Sequence, residues 1–168
     1  MRNRLIITAL ALLGASMSNA QPIKFGHVNS AELLQMMPEI KKADSSLLAY
    51  QKQLEEANQT MLNEYQMKLA EYQKNEATMA DAIREVKQQE IADLQRRITD
   101  FQQTAQDRFQ AKKEELYTPI LKKAEDAIKA VAKENGFSYV FDTSAGAVIY
   151  AQPSDDIMPL VKKKLGLK

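Results

Sequence analysis

Between Glu39 and about Asn135, apolar residues recur every three or four positions in two series that mirror each other. The first runs Ile40, Leu47, Tyr50, Leu54, Ala57, Met61, Tyr65, Leu69, Tyr72; the second runs Ile83, Val86, Ile91, Leu94, Ile98, Phe101, Ala105, Phe109, Leu116. Steps of three and four put each series on one helix face. Folding the chain at about 77–78 sets Tyr72 against Ile83, Leu69 against Val86 and Met61 against Leu94. It also sets Ala57 against Ile98, Leu54 against Phe101, Tyr50 against Ala105 and Leu47 against Phe109. Small meets large at two of these layers, as close packing of antiparallel helices requires. The pattern predicts a coiled-coil-like hairpin arm over residues 45–111 with its tip near 75–81. Each limb is roughly 45–50 Å long at 1.5 Å per residue. A rod of that shape has no globular core.

The flanks change period. Ile23–Asn29 is apolar around one glycine and predicts a short strand. Ser30 is placed to cap a helix over Ala31–Met36, and Pro38 suits the first turn of the long helix that follows. No glycine falls between Ala31 and Asn135. Thr78, three residues before Asp81, offers a capping-box-like start for the second limb. Pro119 interrupts that limb's pattern and predicts a kink, and Asn135-Gly136 predicts a left-handed helix end. Beyond it, Phe137–Asp142 and Ala147–Ala151 predict two strands joined as a hairpin by Thr143–Gly146. Asp156 then caps a closing helix, Ile157–Leu165, with Pro159 in its first turn. Both strands are nearly apolar throughout, which implies burial on both faces. Two or three short strands cannot supply that cover alone, so strands from several copies are expected to pool.

The fold class is therefore α+β and predominantly α: a long antiparallel helical hairpin attached to a small β-rich oligomerisation body, residues 21–44 and 112–168. The candidate oligomer-interface residues are Phe25, Val28, Phe137, Tyr139, Val140, Phe141, Val148 and Ile149.

Composition sharpens this picture mainly by exclusion. Arg2 and Arg4, the apolar run Leu5–Ala15 and Ser18-Asn19-Ala20 read as a signal peptide over residues 1–20, with a mature start near Gln21. Removing its two arginines leaves 21 of the 23 basic residues against 22 acidic ones, a net charge near −1. That balance predicts no nucleic-acid binding. With no cysteine there is neither a disulfide framework nor thiol chemistry. His27, the only histidine, cannot build a metal cluster or a nucleophile–base pair. The glycines are too scattered for a phosphate loop, and Asp155/Asp156 read as helix-cap residues. No catalytic, metal or cofactor site is predicted, and the chain is not read as an enzyme. Arg96-Arg97 and Lys162–Lys164 read as solvated helix faces, with lipid head groups or an acidic partner as the alternative. Arg84, Lys87, Arg96 and Arg97 together offer a local basic face on the second limb. Met67 and Met79 fall off the interhelical series and are the candidates for contact with varied apolar partners.

The order of parts resembles the Skp (OmpH-like) family of periplasmic chaperones. The resemblance spans IKFGHVNSAELLQMMPEI, the Gln-rich hairpin and LYTPILKKAEDAIKAVAKENGFSYVFDTSAGAVIY with DDIMPLVKKKLG. Its most specific part is Leu116–Leu165. It implies a homotrimer whose pooled strands form the body, with three arms around a cavity. It also implies a periplasmic holdase that keeps unfolded outer-membrane proteins from aggregating without ATP. Well-known relatives are basic and this mature chain is near neutral, so no lipopolysaccharide site carries over. From the residues alone, a structural coiled-coil spacer in the cell envelope is the competing reading.

Overall fold

In the computed structural model, which describes residues 23–168, two helices form a hairpin and everything else gathers at its base. The predicted signal peptide lies outside the described residues. In chain order the elements are β1 (Phe25–Val28), α1 (Ser30–Met36), α2 (Pro38–Asn75) and a 3₁₀ turn (Glu76–Thr78). Then come α3 (Asp81–Glu134), β2 (Tyr139–Asp142), a second 3₁₀ turn (Pro153–Asp155) and α4 (Met158–Leu165).

The helix boundaries follow local chemistry. Asn29, not Ser30, caps α1: its extended backbone lets the side chain accept from the Glu32 N–H at 3.1 Å. Ser30 is instead the first helical residue, and its hydroxyl and N–H both bind Asp142. Pro38 opens α2, where no N–H is needed. Thr78 does not cap α3. Its hydroxyl donates back to the Asn75 carbonyl within the tip turn, and α3 begins after Ala80 without a side-chain cap. α3 continues as helix through Pro119. It ends as predicted: Gly136 takes φ +69°, so the Phe137 N–H reaches Ala132 O at 2.9 Å and the Gly136 N–H reaches Lys133 O at 3.4 Å.

The sheet differs from the expected hairpin. β2 pairs with β1, in parallel, with Phe25 opposite Tyr139 and Val28 opposite Asp142. The antiparallel arm explains this: α2 carries the chain out, α3 brings it back past its start, and β2 re-enters beside β1 in the same direction. Ala147–Ala151 is not a strand of the chain by itself. The far edge of β1 is already used, with His27 bridging Asp156 and its carbonyl accepting from the Ile157 N–H at 3.0 Å. Gly26 allows Ile157 and Phe137 to close on the strand, since a Cβ there would meet both at 3.0 Å.

The core of the base is one cluster. Val28, Leu33 and Met37 meet Ile120, Ala124, Ala127 and Val131 of α3, with Ile157, Met158 and Val161 closing the other side. Full burial of each large side chain contributes about 1.5–3 kcal/mol.

Candidate functional site

The period of two along β1 and β2 separates their side chains cleanly. Gly26, Val28 and Val140 face the core, and Val28 is only 2% exposed. Of the interface candidates, Val28 is thus occupied within the chain's own core. Phe137 and Val140 are half-buried against it, and the Lys24 ammonium lies 4.1 Å from the Phe137 ring centre.

The opposite face carries Phe25, Tyr139 and Phe141. Their rings stack in a continuous trio, with centroids 5.8, 6.2 and 6.4 Å apart. Among the described residues no element packs over them, and Phe25, Tyr139 and Phe141 are 48%, 58% and 47% exposed. Beside this face, Val148, Ile149 and Tyr150 line an open trough of about 800 Å³ with Phe25 and Phe141. Ile149 is fully exposed there. A second groove of about 450 Å³ lies along β2, lined by Leu34, Leu121, Ile128, Phe137 and Val140. Contiguous exposed apolar patches of this kind commonly mark interaction sites.

One carboxylate fixes the end of this sheet. Asp142 accepts from the Ser30 N–H at 3.1 Å, the Ser30 hydroxyl at 2.5 Å and the Ser144 N–H at 2.9 Å. Burial pushes its pKa up, but the hydrogen bonds from Ser30 and Ser144 outweigh that and hold it at about 2.

The arm keeps the predicted helices but not the predicted register. Tyr72 receives a hydrogen bond from Gln88 at 2.6 Å, Lys68 pairs with Glu90 at 3.2 Å, and Gln102 donates to Asn58 at 3.3 Å. Tyr117 donates to Asp44, and Lys123 pairs with Glu39 at 2.5 Å. These pairs centre the hairpin near residue 80, two to three residues beyond the expected fold at 77–78. Apolar spacing alone does not fix register, because two amphipathic helices offset by a few residues still bring apolar positions together. The shift has consequences at named positions. Asn58 takes the seam in place of Ala57, while Ile83 and Val86, assigned to the seam from sequence, lie 52% and 55% exposed.

Among the client-contact candidates, Met67 is 67% exposed on the back of α2 and Met79 is half-buried at the tip. Ile83 and Val86 join them as exposed apolar groups near the tip. The signal that could have found them was the length of the tip turn, which sets the register. The expected basic face on the second limb is largely neutralised. Arg84 pairs with Asp81 at 3.3 Å, Lys87 with Glu71 at 3.7 Å, and Arg96 with Asp93.

Among the described residues no group of three His, Cys, Asp or Glu side chains could hold a metal ion, and no helix is long and apolar enough to cross a membrane.

Comparison with known proteins agrees with this architecture. Residues 24–165 match the family described as outer membrane protein (OmpH-like). The chaperone protein Skp of Yersinia enterocolitica is 27% identical over 98% of this chain and 99% of its own length. The chaperone protein Skp of Pectobacterium atrosepticum is 30% identical over 92% of each. A crystal structure from Caulobacter crescentus, described as an OmpH-like outer membrane chaperone, superposes with a TM-score of 0.73. It is 16% identical, over 85% of this chain and 83% of that one, and supports the fold alone. The chain belongs to the OmpH-like family.

Proposed function

We propose that this protein is an ATP-independent holdase of the periplasm that keeps unfolded outer-membrane β-barrel precursors from aggregating. Relatives spanning nearly the whole chain carry the name chaperone protein Skp. The observation that carries the mechanism is the uncovered aromatic face of Phe25, Tyr139 and Phe141 beside the unpaired segment 147–151. Such a surface in a chain with no disulfide calls for other copies. In this reading three chains pool it into a shared body, with Val148 and Ile149 reaching across, Phe137 and Val140 supporting from behind, and Val28 anchoring each strand. Residues 21–44 and 112–168 make that body, and residues 45–111 the arms.

The three arms then enclose a cavity. An unfolded chain is held there by many weak, interchangeable apolar contacts rather than one strong site. Met67, Met79, Ile83 and Val86 are the side chains assigned to those contacts. No cofactor, metal, nucleic acid or catalytic residue enters the mechanism. Lipopolysaccharide is given no site, because the basic groups of the second limb are mostly paired with carboxylates.

The test is dilution of a urea-unfolded outer-membrane β-barrel into the mature protein, Gln21–Lys168, without ATP. Light scattering should stay low, and the client should elute with a trimer. Unchanged scattering beside a well-folded trimer would replace this reading with that of a structural envelope spacer.

A further inference from the structure

The seam between α2 and α3 changes character along its length. From Leu94 towards the base, α3 presents Leu94, Ile98, Phe101, Ala105 and Phe109, the first two of them buried. Towards the tip, the seam positions of α3 are Arg84, Lys87, Glu90 and Ile91, three of them charged. Polar contacts are prominent there, and Tyr72 is the one buried residue of this stretch. Lys68 and Lys87 share Glu90 at 3.2 and 3.9 Å, and Tyr72 bridges Gln88 at 2.6 Å and Glu76 at 2.8 Å. Partly exposed ion pairs of this kind contribute little, because their heads are nearly as well solvated when apart. Apolar layers have no such alternative in water. The tip also holds the only buried side-chain nitrogen or oxygen without a partner among the described residues, Nε of Arg84. Opening would hydrate it and remove that cost. Closure at the tip is therefore weakly favoured, and closure nearer the base strongly so.

We propose that the outer part of the arm, roughly residues 64–92, opens as a unit separate from the rest of the hairpin. We further propose that the face it uncovers is a contact surface for unfolded, apolar chain segments. This second statement rests on the holdase reading. Opening releases Leu69, Tyr72 and Ile91 on the same outer stretch of the arm that carries the already exposed Ile83 and Val86. A short apolar strip at the tip becomes a longer one. An incoming chain replaces the limb that moved away, so its apolar groups are covered without either partner being fixed in one geometry.

The chain has no cysteine, which allows a clean lock. Lys68→Cys/Glu90→Cys, bridged by a short bis-thiol-reactive linker, ties the limbs where their side chains already meet. The same variant left unbridged is the control for folding. Hydrogen exchange on the free, full-length mature oligomer should show amides of residues 66–92 exchanging together, at least tenfold faster than those of 94–110. Bridging should slow the tip at least tenfold, leave 94–110 unchanged, and reduce the amount of unfolded β-barrel held in solution. Tyr72→Phe, which loses the hydroxyl joining Gln88 and Glu76, should speed tip exchange.

Exchange of tip and base as one set would overturn the proposal of a separate unit. A bridged tip that holds client as well as the unbridged one would overturn the contact surface. Failure of the unmodified protein to hold any client would remove the holdase reading, and the contact surface with it, while the exchange result on free protein would still decide whether the tip opens.

Discussion

The base and the arm are built from the same helices, yet they are held together by different physics. At the base, α3 is enclosed by α1, α4 and the start of α2, and eleven buried residues form one cluster. Along the arm α3 has a single neighbour, and beyond the base cluster only Tyr72, Leu94 and Ile98 are buried. A helix with partners on several sides hides its apolar stripe; a helix with one partner hides only a line of it. The base can thus be rigid enough to present a fixed aromatic face, while the arm remains a surface with adjustable contacts. Rigidity sits where copies would have to match, and looseness where clients would have to vary.

The sharpest way to break this comparison is the same truncation in both regions. Leu33 is fully buried beneath several elements, and Leu33→Ala should destabilise the base by about 3–5 kcal/mol through lost burial and a cavity that cannot collapse. Leu94 is almost as buried, but its two-helix surroundings can close up. Leu94→Ala should cost about 2 kcal/mol, near the lower end of the range for such changes. Thermal melting should fall strongly for the first. The second should leave melting of the base nearly unchanged and raise hydrogen exchange along the arm. Equal losses of melting temperature would mean that arm and base fold as one cooperative unit.

A charge on the uncovered side of the base comes next. Ile149 is fully exposed in the single chain, so Ile149→Asp should change the stability of the isolated fold by no more than about 0.5 kcal/mol. In the proposed trimer the same aspartate would be buried without a partner. Sedimentation should therefore give monomers with unchanged helical circular dichroism. A variant that stays trimeric would show that segment 147–151 lies outside the interface.

The arm and its two long helices were legible because amphipathic periodicity is a local property of the chain, and so were the Gly136 and Pro38 boundaries. What periodicity leaves open is register. The shift in register that freed Ile83 and Val86 was decided by a tip turn with no strong sequence signal, in which Thr78 bonded backwards instead of capping forwards. The sheet departs from the expected hairpin for a related reason. Phe137–Asp142 and Ala147–Ala151 are neighbours in sequence and both apolar, so a hairpin was the local solution. The pairing of β1 with β2 is made by the whole length of the arm returning to its start, which no window of a few residues contains. At the candidate site, the residue types were visible but their faces were not: Val28 and Phe25 belong to the same short strand and serve opposite sides of it. Met67 and Met79 both fall off the apolar series in sequence, and only the structure separates the exposed one from the half-buried one.

The smallest expected effect tests the corner where strand meets helix. The Asp142 carboxylate is ionised down to about pH 2, against an ordinary value of 3.8, because Ser30 and Ser144 donate to it. A depressed folded-state pKa means that the folded protein binds its proton later than the unfolded chain does. Its contribution is therefore complete above about pH 4 and is lost as the pH falls towards 2. Asp142 is largely open to solvent, so screening reduces the contribution to on the order of 1 kcal/mol. Asp142→Ala should lower stability by about that amount at pH 7 and make almost no difference at pH 2, where the wild-type carboxyl is itself becoming protonated. Urea unfolding of both proteins across this range, with the base followed separately from the arm, measures the difference. A gap that stays constant with pH would mean that Asp142 acts through packing, and that the corner between β2 and α1 is held by shape and not by charge.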